Sequence, residues 1–145
     1  MLRGDLVASL HAAQKAIVSL VAILNAQIVG HVLFSPVRLE PARSELRLVG
    51  LAPVVVLPKY QGRQIGTRLI ETGLQVCKES AWDAVVVLGS PVYYARFGFR
   101  WAQYFSLQNE YGADEAFTVL ELRAGTLAGV AGLVRYADEF REVGV

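Results

Sequence analysis

Apolar residues at Leu2, Leu6, Leu10, Ala13 and Ile17 recur at helical spacing and predict an amphipathic helix over residues 2–15. The run that follows, 16–34, is apolar almost throughout. By length it approaches a membrane span, and the residues ahead of it could pass for the start of a signal peptide. Asn25, Gln27 and His31 interrupt it, each costly in hydrocarbon, and Asp5 together with the helical spacing argues against a signal segment. Two strands, 17–24 and 28–36, joined by the polar turn Asn25-Ala26-Gln27, account for the run instead. A polar connection over 39–45 leads into a long strand over 46–57, inside which Pro53 cannot donate to a sheet ladder. That strand must lie at an edge, bulge or splay there. From 61 to 80 the period becomes helical, with Ile65, Leu69 and Val76 on one stripe and Ile70, Leu74 and Cys77 widening it. Ala84-Val85-Val86-Val87-Leu88 is continuously apolar, as in a strand covered on both faces. Gly89-Ser90-Pro91 ends it, Pro91 suits the first turn of a short helix over 92–97, and Gly98 stops that helix. Strands over 99–107 and 117–122 follow, separated by polar residues 108–115. From Gly125 onward the pattern commits to neither period. This order predicts a mixed sheet with helices on its faces.

Composition narrows the class. The chain has 145 residues, 54% hydrophobic and 19% charged, which excludes intrinsic disorder and predicts one domain over 1–145. Surface scaling buries roughly 68% of the unfolded area at this mass, enough for a core without staples. A net charge of +1 shows no nucleic-acid footprint. One cysteine cannot form an internal disulfide, and with two histidines no metal site is expected. A reducing cytoplasm suits this composition, and no membrane partner is expected.

The stretch richest in chemistry runs from Val54-Val55-Val56-Leu57-Pro58 through Lys59-Tyr60-Gln61-Gly62-Arg63-Gln64-Ile65-Gly66-Thr67-Arg68. A strand ends in Pro, passes through a glycine-containing turn and enters a helix. Free amides and the positive dipole end there make an anion site, most naturally for phosphate. Gly62 and Gly66 let the backbone approach a ligand, and Lys59, Arg63 and Arg68 could add charge. Taken alone, the segment reads more simply as a turn that starts a helix. It has neither the Gly-Lys-Ser/Thr ending of a Walker loop nor dinucleotide-fold glycine spacing.

Gln61-Gly62-Arg63-Gln64-Ile65-Gly66 resembles motif A of the GNAT superfamily of acetyl-CoA-dependent N-acetyltransferases, Gln/Arg-x-x-Gly-x-Gly/Ala, with Gln64 standing where the family usually has Gly. Val92-Tyr93-Tyr94-Ala95-Arg96-Phe97-Gly98-Phe99 is similar to the family's (Phe/Tyr)-Tyr-x-x-x-Gly-Phe element. The strings VVVLGSPVYYARFGF and LAGVAGLVRYADEF further resemble a subgroup of bacterial N-acetyltransferases. The resemblance implies an α+β fold. Its mixed, mostly antiparallel sheet would have a central splayed parallel pair and flanking helices, with the family's first strand and helix absent from this chain.

It further implies acetyl-CoA as co-substrate, a small-molecule or peptide amine as acceptor, and transfer by direct attack on the thioester; a homodimer is left open. By carry-over, Val54, Val55 and Val56 give main-chain contacts to pantetheine beside the bulge at Pro53. Gly62, Arg63, Gln64, Ile65, Gly66 and Thr67 cradle the pyrophosphate. Tyr94 matches the tyrosine that protonates the departing thiolate, and a phenol with an ordinary pKa near 10 holds that proton at neutral pH. The alternative is a non-catalytic acyl-CoA-binding or regulatory module of the same fold. For the remaining residues structural roles weigh more. Tyr93, Phe97, Phe99 and Cys77 pack, and Glu45, Glu71, Glu79 and Asp83 are solvated charges. His11 is a surface residue. His31, the better base by pKa, is more simply a hydrogen-bonded sheet histidine.

Overall fold

A computed structural model describes residues 6–9, 18–43 and 45–136, with no side chains described for 6–9. Strands β1 (Leu6–Ser9), β2 (Val18–Leu24), β3 (Gln27–Pro36), β5 (Leu48–Val56), β6 (Ala84–Leu88), β7 (Arg100–Trp101) and β9 (Phe117–Glu121) form one sheet in the order β1-β2-β3-β5-β6-β9-β7. β4 (Arg38–Glu40), β10 (Gly132–Arg135) and β8 (Leu107–Asn109) form a second, in that order. Among the described residues two α-helices accompany them, α1 (Ile65–Glu79) and α2 (Pro91–Ala95).

Residues 18–34 of the apolar run over 16–34 lie in the β2–β3 hairpin. Its turn is two residues, Asn25 at φ 52° and Ala26 at φ 63°, and left-handed pairs of this kind match the twist of the flanking strands. No helix among the described residues is long and apolar enough to cross a membrane. Alternation along β3 sends Gly30, Val32 and Phe34 towards α1, where they meet Ile65, Leu69, Ile70, Leu74 and Cys77. These α1 positions are all buried, and each large aliphatic among them contributes about 1.5–3 kcal/mol. The predicted stripe is the buried face, except that Val76 lies at its margin. β6 splits its side chains as a strand covered on both faces should. Val85 and Val87 join the α1 layer, while Ala84 and Val86 join Leu39, Leu107, Val134 and Tyr136 under the second sheet.

Three expectations are corrected. Residues 6–9, assigned to an amphipathic helix, form a strand antiparallel to β2, with Leu6 opposite Ala22 and Ser9 opposite Ser19. The open edge of β2 offers a row of backbone partners that helical spacing cannot foresee; the rest of that predicted helix, with His11, lies outside the described residues. The strand over 99–107 breaks into β7, a 3-10 turn at Ala102–Phe105 and β8, so its two halves serve different sheets. Buried Ala102 and left-handed Ser106, φ 60°, turn the chain between them. Within the connection over 39–45 and the unassigned tail, β4 and β10 pair antiparallel, Leu39 opposite Val134.

Candidate active site

The parallel pair β5–β6 is short. Leu48, Val49 and Gly50 lie opposite Ala84, Val85 and Val86, and the register ends there. Beyond it β5 follows β3 alone to Val56, with an extra residue in β5 where Val32 and Phe34 face Val54 and Leu51. The expected bulge therefore sits at Ala52-Pro53, because a residue without an N–H cannot continue the ladder. The Leu57 amide donates to the Val29 carbonyl at 2.9 Å. By antiparallel alternation Val55 turns its polar backbone atoms to His31, whereas those of Val54 and Val56 face the opening. Of the three valines expected to offer main-chain contacts, two are aimed to do so. Gln61 Nε2 already donates to the Val56 carbonyl at 3.0 Å.

Past β5, a 3-10 turn at Pro58–Tyr60 leads to the glycine turn and α1. Gly62 has φ 81°, and Gln64, the residue before α1, has φ 66° and ψ 15°. The exposed Gln64 side chain makes no capping hydrogen bond, and the Arg68 amide makes the first helical bond, to the Gln64 carbonyl at 3.0 Å. The amides of Ile65, Gly66 and Thr67 therefore open the helix without a side-chain cap. They border a cleft of about 300 Å³ lined by Val56, Gln61, Gly62, Gln64, Gly66 and Thr67, and opposite by Tyr93 of α2 and Arg96 just after it. A Cβ on Gly66 would project into it, 3.7 Å from Val56 and 4.0 Å from the Tyr93 hydroxyl.

The second motif supplies the opposite wall. Ser90 caps α2, its Oγ accepting from the Tyr93 amide at 3.3 Å, with Pro91 in the first turn. Gly98, at φ 96°, ends the segment, and Phe99 is buried. Tyr93 is more than a packing residue. Its ring touches the core, but its hydroxyl and Thr67 Oγ1 hydrogen-bond at 3.0 Å, joining α2 to the start of α1. Tyr94 lies over the end of β6, where Gly89 is required: a Cβ there would come within 2.7 Å of the Tyr94 ring. The ring is edge-on to Tyr93 at 5.0 Å and to Phe99 at 5.6 Å. Burial, and then the neighbouring Tyr93, raise the Tyr94 phenol above its ordinary value of 10, so it holds its proton across the physiological range.

Other candidates fall elsewhere. The side chains of Lys59 and Arg63 flank the Tyr60 ring at 5.7 and 5.4 Å, and they and Arg68 lie outside the cleft lining. The lining cation is Arg96, which the sequence did not single out because any residue fits that place in the motif. His31 alternates to the face away from α1, its Nε2 3.0 Å from Ser19 Oγ. Glu45 pairs with Arg43, and Glu79 accepts from Gln75 at 3.0 Å. Asp83 is not solvated: it is buried, accepting from the Arg47 amide at 2.8 Å and paired with Arg123 at 3.6 Å. Burial pushes the Cys77 thiol up to about 12, as suits an inert core residue.

Comparisons with known proteins fit this geometry. Residues 4–102 match the family model described as Acetyltransferase (GNAT) domain. The chain is 40% identical over 115 residues to the uncharacterised N-acetyltransferase YhbS of Escherichia coli K12, covering 79% of this chain and 68% of that protein. The crystal structure of YhbS in complex with CoA superimposes with a TM-score of 0.83 at 38% identity, over 90% of this chain and 73% of that one. A GNAT family acetyltransferase from Brucella melitensis, in complex with acetyl-CoA, does so with a TM-score of 0.70 at 35% identity, over 89% and 71%. By the family match over residues 4–102 and the identity to YhbS, the chain belongs to the GNAT acetyltransferases.

Proposed function

We propose that the protein transfers an acetyl group from acetyl-CoA to a primary amine, with Tyr94 as general acid. The observation that carries this reading is the cleft where β5 has left β6: Val56 borders it together with the uncapped start of α1 and Tyr93, and Tyr94, next in α2, lies over the end of β6. The co-substrate supplies an acetyl group activated as a thioester. Val54 and Val56 bond its extended arm as an added strand would pair with a sheet edge. The amides of Ile65, Gly66 and Thr67, at a helix N-terminus, hold its diphosphate. The space around Gly66 fits a group lying directly on the backbone.

Tyr94 holds its phenolic proton and gives it to the departing thiolate, a role that its raised pKa preserves. The described residues that line the cleft include no carboxylate and no histidine, and in this reading a water relay carries off the acceptor's proton. Gln64 does not argue for a non-catalytic module. It adopts the left-handed conformation that glycine would favour, and its exposed side chain makes no capping bond. The test is calorimetric titration with acetyl-CoA, followed by free-thiol release across a panel of primary amines. Binding with amine-dependent release supports the reading; binding without release from any amine leaves the regulatory module in its place.

A further inference from the structure

The cation that lines this cleft comes from the opposite wall, not from the glycine turn. Arg96 follows α2 directly and lines the cleft. Its guanidinium carbon stands 4.4 Å over the Tyr93 ring. The Tyr93 hydroxyl is tied in turn to Thr67 Oγ1 at 3.0 Å. Arg96, Tyr93 and Thr67 thus form a continuous side-chain chain from α2 to α1, and all three line the cleft. The ion pairs among the described residues involve Arg43, Arg123 and Arg135, and none engages Arg96.

We propose that Arg96 binds the diphosphate of the coenzyme and that Tyr93 is its positioning residue, an inference that rests on the acetyl-CoA reading above. A ring face attracts a guanidinium without consuming its N–H donors, so Arg96 keeps a planar fork for phosphate oxygens. The Thr67 bond anchors the ring and so fixes where the fork stands. The cleft then presents main-chain donors on the α1 side and a charged side chain on the α2 side, two walls for one anionic group. A second groove of about 340 Å³ also borders Arg96, along Glu71, Leu74, Gln75, Lys78 and Leu120. That groove could bring the coenzyme's 3′-phosphate to the same guanidinium, and the two sources can be separated.

The experiment titrates parent, Arg96→Ala, Tyr93→Phe and the double variant with CoA and with dephospho-CoA, at several salt concentrations. Arg96→Ala is expected to weaken both ligands by the same factor, about tenfold, and to flatten the salt dependence of both. Tyr93→Phe is expected to weaken both by about threefold in the parent and by less once Arg96 is Ala, the signature of a residue acting through another. A loss confined to CoA would assign Arg96 to the 3′-phosphate and overturn the proposal, as would no loss for either ligand. Equal Tyr93→Phe losses in both backgrounds would overturn the positioning role. If the folded parent binds neither ligand, the acetyl-CoA reading itself fails. Parent binding that Arg96→Ala leaves untouched refutes this inference alone.

Discussion

Replacing Gln64 by glycine tests how the phosphate turn is built. Gln64 sits at φ 66° and ψ 15°, where an L-residue pays about 1–2 kcal/mol relative to the right-handed region and glycine pays nothing. Against that gain, glycine loses about 0.5–1 kcal/mol more backbone entropy on folding. The interior helix penalty does not apply, because the residue is the N-cap, where glycine ranks close to the best capping residues. The exposed side chain makes no capping bond, so its removal costs little. The net is a stabilisation of about 0.5 kcal/mol for Gln64→Gly, with Gln64→Ala near zero because it keeps the strained backbone. In equilibrium urea unfolding with m of about 2 kcal/mol/M, the glycine variant should shift its midpoint up by about 0.3 M at unchanged m. CoA affinity should change by less than about threefold, since the amides that hold the anion remain in place. A midpoint lowered by a similar amount, or a tenfold loss of affinity, would refute the reasoning and show that the Gln64 side chain makes a contact of its own.

Further outcomes follow from the same geometry. Gly66→Glu should abolish CoA binding, measured by calorimetry, because its side chain enters the cleft with a negative charge. The fold should persist, as an acid in the first turn of a helix is favourable by about 0.3–1 kcal/mol. Tyr94→Phe should lower turnover by about 10²-fold with little change in CoA affinity. Because the acid form is the active one and its pKa is raised, the parent's rate through this group persists as pH rises and falls only above pH 10. A pH profile identical in the Phe variant would return Tyr94 to packing. Gly73→Ala drives a Cβ into the Phe34 ring in the buried α1–β3 contact. Overpacking of about 1–3 kcal/mol should outweigh the gain in helix propensity of about 1 kcal/mol, so the denaturation midpoint should fall.

What the sequence alone determined is what neighbours along the chain decide. The hairpin turn at Asn25-Ala26, the buried run at Ala84–Leu88 and the apolar face of α1 are local patterns of polarity and backbone preference. Each lies in the structure within a few residues of where it was read. The glycine turn and the Tyr-Tyr segment were legible for the same reason, since capping and left-handed residues leave short signatures. The missing N–H of Pro53 limited its strand to an edge, a bulge or a splay, and β5 carries the bulge.

Tertiary structure decided whatever depends on a distant partner. Residues 6–9 carry helical spacing but take the open edge of β2, and residues 99–107 divide because each half finds a different sheet. Asp83 reads as a surface charge until Arg47, 36 residues away, offers its amide. In the cleft, Tyr93 and Thr67 are 26 residues apart, and only packing of α2 against α1 brings their hydroxyls together and stands Arg96 over the opening. Backbone pairing and charge compensation act through space, so a one-dimensional pattern gives the parts of the site while the fold chooses which cation completes it.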